Sequence, residues 1–420
     1  ASGNVYTANY GNHTVSKTTP AGVVTQTWAM LTFGSQPFAI ATDASGNVYT
    51  ANQGNNTVSK ITPAGVVTEA WATLDSGAFP FDIAIDASGN VYTANYGRQT
   101  VSKITPAGVV TQAWATLDSG AGITSLAIDA SGNVYTANNG LRTVSKITPA
   151  GAFTQVWASL ANDSAPFYIA IDASDNVYTL NRLNNTISKI TPAGVVTQAW
   201  ATLTPPSPGS AYSGFTFDDS GNLYTTTPQG SGSGSYVAVS KITPTGVVTH
   251  DWATWTFGLS GIIARDITKD ASGNLYVANE YISSVTKIAA GCNPCPALST
   301  APPNVSIVNS TCNSACQVAG GSISAPTGTP CPAGSTLQYS VNGGAWSATL
   351  PAYAQTGPAQ SIQTRCNCDA DNTMSSPAST AVVTVPGDCG SSTPTVTQAW
   401  AALATGAQPF DIVTDASGNV

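Results

Sequence analysis

The chain has 420 residues, with 13 Lys or Arg, 21 Asp or Glu and 2 His, a formal net charge of −8, and 8% charged against 42% hydrophobic content. About 25% charged is usual, so Thr, Ser, Asn and Gly stand in for charge here, and nothing basic is clustered enough to neutralise phosphates, which excludes nucleic acid as a partner. No apolar run approaches the roughly 18 residues of a spanning helix, which excludes membrane insertion, and two histidines leave little for imidazole-based metal or acid–base centres.

The chain starts at Ala1-Ser-Gly-Asn-Val5, the tail of a motif that then recurs in full. Asp-Ala-Ser-Gly-Asn begins at Asp43, Asp86 and Asp129, and variants begin at Asp172, Asp218, Asp270 and Asp415. Trp28, Trp71, Trp114, Trp157 and Trp200 keep the same step of about 43 residues, as do Lys17, Lys60, Lys103, Lys146 and Lys189, with Lys241 and Lys287 continuing the series. One unit, Pro80 to Leu117, parses by local rules. Phe81 to Asp86 is a short apolar strand, and Asp86 to Asn90 is a turn whose Gly supplies positive φ. Val91 to Ala94, Thr100 to Thr105 and Val109 to Leu117 follow as strands, separated by the loop at Asn95 to Gln99 and the turn at Pro106 to Gly108. No 3.6-residue period is present, so the unit is a four-stranded antiparallel meander, the sequence form of a propeller blade.

The first blade lacks an innermost strand, and Pro409 to Thr414 supplies it from the other end of the chain. The expected fold is therefore all-β, a seven-bladed β-propeller closed by a terminal strand. The run Pro80-Phe-Asp-Ile-Ala-Ile-Asp-Ala-Ser-Gly-Asn-Val-Tyr-Thr-Ala-Asn95 and the Gly97-Arg-Gln-Thr-Val-Ser-Lys-Ile104 stretch after it resemble the NHL-repeat family and its bacterial relatives over about three quarters of the chain. That resemblance speaks to fold, because propellers host many tasks.

An insertion interrupts the seventh blade between its third and fourth strands. The expected division is residues 1–291 for six blades and the start of the seventh, 292–394 for an inserted domain, and 395–420 for the rest of blade seven and the closing strand. Leu337 to Val341, the turn Asn342-Gly-Gly344 and Ala381 to Val385 suggest an Ig-like or fibronectin-like sandwich. All eight cysteines lie here: Cys292, Cys295, Cys312, Cys316, Cys331, Cys366, Cys368 and Cys389. With no histidine nearby they read as disulfides rather than zinc ligands, in a pairing left open. This implies an oxidising, extracellular or cell-surface location, and the lack of a signal peptide implies a mature or excised form. Ala416 to Val420 duplicates Ala1 to Val5, which reads either as a segment of a longer chain or as a strand that docks into the next molecule to build a fibre.

In such blades the first and third connections share one face. The second connections and the blade-to-blade links share the other, and they vary most among the copies, which marks that face as the candidate binding surface. Arg98, Arg142 and Arg182 fall in its equivalent loops in three consecutive blades, near Asp75, Asp118 and Asp163. With Tyr10, Tyr96 and Tyr281 they suggest a groove for a glycan or an anionic group. The other reading is solvated loop charges, each pair contributing about 0 to 1 kcal/mol. The repeated aspartates read as turn caps rather than calcium ligands, the tryptophans as packing between blades, and the lysines as charges that blunt strand edges. Asp82 and Asp411 lie in innermost strands and form at best a local polar spot.

The expected function is a non-enzymatic extracellular structural or adhesive protein, self-associating into a fibre or surface layer through its terminal strand or inserted domain and possessing no cofactor or metal. The first alternative is a glycan- or peptide-binding propeller using the variable face, with a surface protein among its potential partners. The second is a lyase-like enzyme, since seven-bladed relatives include streptogramin-type lyases and NHL-type propellers include an amidating lyase that uses histidine-bound metal. His13 and His250 lie on different blades, Glu69 and Glu280 are the only glutamates, and no catalytic elbow or phosphate loop is evident. On those grounds the chain is expected not to be an enzyme.

Overall fold

The repeated aspartate turn closes on its own first residue. Asp43 Oδ1 accepts the backbone N–H groups of Ser45 (3.0 Å) and Asn47 (2.8 Å), while Oδ2 accepts Asn47 Nδ2 (2.8 Å) and the Tyr49 hydroxyl (3.0 Å). Gly46 sits at φ +77°, where a side chain is disfavoured. The same carboxylate set recurs at Asp86, Asp129, Asp172 and Asp218. The tyrosine that each turn captures is a repeat feature as regular as the aspartate, and burial together with that aspartate pushes the Tyr49 phenol well above its ordinary value.

The computed structural model describes residues 3–203, 213–229, 236–255, 264–280, 282–289, 306–308, 311–312, 318–319, 321–324, 362–364, 396–402 and 409–414. The chain divides into two compact units, Ala1–Ile288 with Val396–Val420, and Ala289–Thr395. The first is a seven-bladed propeller of four-stranded antiparallel sheets. Blade 3 shows the plan, with strands Pro80–Ile85, Val91–Asn95, Thr100–Ile104 and Val110–Thr116 counted from the centre outwards. The first strand of every blade touches that of the next around a complete ring. Pro409–Thr414 pairs with Val5–Asn9 and closes blade 1, so the first and last described strands share one sheet. Among the described residues no helix is long and apolar enough to cross a membrane.

The core lies between blades. Ala39, Tyr49, Ala51, Val58 and Ala72 of blade 2 pack with Ile83, Val91 and Ile104 of blade 3, and partly buried Trp71 seals the joint. Lys60 Nζ stands 5.3 Å from the Tyr49 ring and 5.7 Å from Trp71, so the repeat lysine engages two aromatic faces rather than blunting an edge. The next blade's Thr-Pro-Ala-Gly turn fits over the tryptophan: a Cβ on Gly65, at φ +84°, would come within 3.1 Å of Trp28 Nε1. Inside the blade 2 sheet a buried polar ladder joins the strands. Asn52 Nδ2 donates to Thr57 Oγ1 (3.0 Å) and Ser59 Oγ (2.8 Å), and Asn52 Oδ1 accepts from Thr50 Oγ1 (2.9 Å). Blades 1, 3, 4 and 5 repeat it at Asn9, Asn95, Asn138 and Asn181.

In the second unit, Ser306–Val308, Gly321–Ser324 and Ile362–Thr364 form a three-stranded antiparallel sheet, and Thr311–Cys312 pairs with Val318–Ala319. The cysteine side chains and the strands expected at 337–341 and 381–385 lie outside the described residues.

Candidate functional site

Every innermost strand breaks register at its second residue. In blade 3, Pro80 pairs with Asn95, but Asp82 rather than Phe81 pairs with Ala94, and the same bulge occurs in all seven blades. A bulge re-aims side chains, and here the second and third residues of a strand both reach the central channel. The third residues, from blade 1 to blade 7, are Asp411, Ala39, Asp82, Ser125, Tyr168, Phe215 and Asp266. All seven line one cavity of about 170 Å³, together with second residues that include Phe38, Phe81, Phe167 and Arg265.

The three aspartates also bind blade to blade. Asp82 Oδ2 accepts the Leu126 N–H (2.8 Å) and Ser125 Oγ (2.8 Å) of blade 4, and Oδ1 accepts the N–H of Ile83 (2.8 Å). Asp411 Oδ2 accepts the Ile40 N–H of blade 2 (2.6 Å), and Oδ1 accepts that of Ile412 (2.9 Å). Asp266 of blade 7 stands beside Asp411 in the same cavity, close enough for the two carboxyls to act on each other. Burial, with the charge of Asp411 added to it, pushes the Asp82 carboxyl up to about 7 despite the three donors. Burial raises Asp266 and Asp411 as well. Two carboxyls this close in a channel do not readily ionise together, which favours the neutral form of one of them.

Around these carboxyls stand Tyr168, Arg182, Arg265 and Glu280. Arg265 Nη2 meets buried Glu280 Oε2 at 2.7 Å, and the Tyr168 hydroxyl reaches across blade 6 to the Arg265 carbonyl (3.3 Å). Arg182 Nη2 donates to the Tyr168 hydroxyl (3.4 Å), and its guanidinium lies 3.4 Å from the Phe167 ring centre. Burial holds the Arg182 guanidinium below its ordinary value and the Tyr168 phenol above its own.

The structure brings only part of the expected groove together. Tyr10, Tyr96 and Arg182 each follow the last residue of their blade's second strand, at the channel mouth, in the same place as Glu280. Arg98 instead donates to the Ser76 carbonyl (2.8 and 2.6 Å) in an exposed loop, and Arg142, at φ +57°, leans on the Gly140 carbonyl (3.4 Å). The three arginines hold three different positions in their loops, so they do not form one anion-binding row. Tyr281 lies outside the described residues. Asp266 escaped the sequence reading because Ala264-Arg-Asp-Ile267 breaks the Pro-Phe-Asp-Ile pattern of 80–83 and 409–412; counting four residues back from each turn aspartate finds all three. His13 Nδ1 accepts the Gln36 N–H (3.1 Å) away from the channel, and His250 is exposed on an outermost strand. Among the described residues, no group of three or more His, Cys, Asp or Glu could hold a metal ion.

The model of the Virginiamycin B lyase family matches residues 1–231. Similar solved structures include virginiamycin B lyase from Staphylococcus aureus, 19% identical, covering 62% of this chain and 83% of that one with a TM-score of 0.53. A streptogramin B lyase is 18% identical over 68% and 84%, TM-score 0.52. A catalytically inactive histidine-to-alanine variant of the S. aureus enzyme with quinupristin is 21% identical over 61% and 82%, TM-score 0.53. No curated protein matches the chain. At these identities the solved structures speak to the fold. The resemblance to NHL repeats holds at the level of a β-propeller, while the matching family is a lyase family. That match overturns the expectation that the chain is not an enzyme. The expectation rested on two separated histidines, two glutamates and the lack of a catalytic elbow or phosphate loop, and did not weigh the aspartates that ring closure brings into one cavity.

Proposed function

The chain belongs to the virginiamycin B lyase family, and from that membership we propose that it is a lyase whose reaction centre is the carboxyl cluster of the central channel. The observation that carries the reading is that the carboxyls of Asp82, Asp266 and Asp411 line one cavity with Tyr168 and Arg265. A lyase that breaks a C–O bond by elimination needs a base and an acid. The base removes a proton from the carbon next to a carbonyl, the C–H electrons form a C=C bond, the C–O bond breaks, and the departing oxygen takes up a proton. An ionised carboxylate of the Asp266–Asp411 pair serves as base, and neutral Asp82, held to about 7, serves as acid. One proton is taken and one given, so the site ends with as many as it began. The Arg265 guanidinium, held by Glu280, supplies positive charge where the substrate carbonyl becomes negative. No histidine is assigned a role. The chemistry that imidazole would supply falls instead to carboxyls raised by burial.

The test is product analysis after incubation with quinupristin. Elimination within a macrocycle opens it at unchanged mass and adds a conjugated C=C absorption. A product heavier by one water would make the chain a hydrolase, and an unaltered macrocycle would remove this substrate class. We also propose an extracellular home for the chain on the strength of its clustered cysteines. Thiol titration of the denatured chain tests it: disulfides leave no reactive thiol, and eight free thiols would contradict it.

A further inference from the structure

Above the carboxyls the channel mouth is walled with rings. Phe38 and Phe81, second residues of the innermost strands of blades 2 and 3, have centroids 4.6 Å apart. Tyr10 meets Phe38 edge-on at 6.2 Å, and Tyr96 lies against Phe81 at 4.8 Å with the planes 30° apart. Blade 5 contributes Phe167 beneath the Arg182 guanidinium to the same cavity. The scaffold does not require these rings. Blades 4, 6 and 7 place Thr124, Gly214 and Arg265 at the same bulged position and close their sheets equally well. Tyr96 keeps 43% of its surface exposed, so ring area remains free at the rim. The rings share their cavity of about 170 Å³ with Asp82, Asp266, Asp411 and Arg265, so a ligand held on the wall lies beside the carboxyls.

We propose that this wall is a subsite for a planar aromatic ring of the substrate, stacked on Phe38 and Phe81 with Phe167 and Arg182 completing the enclosure. The ligand class is an aryl-bearing small molecule whose reactive atoms are thereby set over the channel carboxyls, so the proposal rests on the lyase reading of the same site. Ring pairs favour offset or edge-on contacts at centroid separations of about 4.5 to 7 Å, the spacing this wall already uses among its own members. The guanidinium adds a cation–π face to the same enclosure.

The experiment measures equilibrium binding of N-acetyl-phenylalaninamide and N-acetyl-cyclohexylalaninamide to the full chain by ligand-observed NMR. The two probes have nearly the same bulk, and only one has a π face. The phenyl probe is expected to bind about three- to tenfold more tightly. Phe81→Leu, which keeps an apolar side chain, brings the two within about twofold, and Tyr96→Ala, at the exposed rim, weakens the phenyl probe alone. Unchanged melting temperatures establish that both variants fold. Equal binding of the probes to the parent chain, or a phenyl preference that survives Phe81→Leu, overturns the subsite. Quinupristin turnover on the same samples separates the two ideas. A phenyl preference with no turnover removes the lyase reading and keeps the subsite, and turnover with no preference does the reverse.

Discussion

Asp82 accepts two backbone N–H groups and a serine hydroxyl, a set that by itself would lower a carboxyl, yet burial and the charge of Asp411 win and raise it to about 7. The native chain therefore holds a proton that the unfolded chain, with an aspartate near 3.9, has released. The stability tied to that proton is fully present below about pH 4 and is lost as pH rises through about 7, a change on the order of 4 kcal/mol. We expect the melting temperature of the parent chain to fall over this range and the fall to shrink in Asp82→Asn, which cannot ionise. Calorimetry across pH reads the difference between the two slopes. Parallel slopes would mean that Asp82 is ionised throughout.

At the scale of the element, two devices recur in almost every blade. One is the asparagine ladder. Asn52 is fully buried, and Asn52→Ala leaves the hydroxyls of Thr50, Thr57 and Ser59 short of a partner. The expected loss is about 2 to 3 kcal/mol in urea unfolding, against about 1 kcal/mol for an exposed loop residue. The other is the bulge at the second residue of each innermost strand. In blade 6 that residue is Gly214, at φ +49°, and a Cβ there would collide with Asp266 Oδ1. Gly214→Ala must displace the carboxylate, so we expect turnover to fall at least tenfold with a shifted pH profile, read from initial rates. An unchanged profile would separate Asp266 from the chemistry.

The strands were legible in the sequence for the reason these devices recur. Pattern noise in one blade averages out over seven, and Val91–Asn95 and Thr100–Ile104 lie within one residue of their expected ends. The turn aspartates were legible because their partners lie within six residues. The channel site was legible only in part: Asp82 and Asp411 were placed in innermost strands, but Asp266 and the cavity they share were not, because its members come from distant strands and meet only through closure. Arg182 was singled out, but beside Arg98 and Arg142 rather than Phe167 and Tyr168, since loop equivalence does not reveal which side chain turns inward.

At the scale of the molecule, closure and site are one feature. The strand Pro409–Thr414 completes blade 1, buries Ile412 against Val5, Tyr276 and Ala278, and carries Asp411 into contact with blades 2 and 7. Ile412→Asp places a charge in that apolar joint and is expected to cost about 3 kcal/mol or more, lowering the melting temperature and the turnover together. Asp411→Asn keeps the strand and is expected to affect turnover far more than melting. If the two substitutions lower melting and turnover in the same proportion, the strand serves closure alone.

The central claim is that the Asp266–Asp411 carboxyl pair performs the reaction, and the rate of quinupristin opening by Asp266→Asn tests it most directly. With melting temperature preserved, kcat is expected to fall by a factor of about 100 or more, the range a general base supplies. A correctly folded Asp266→Asn chain that opens the macrocycle at the parent rate would contradict it.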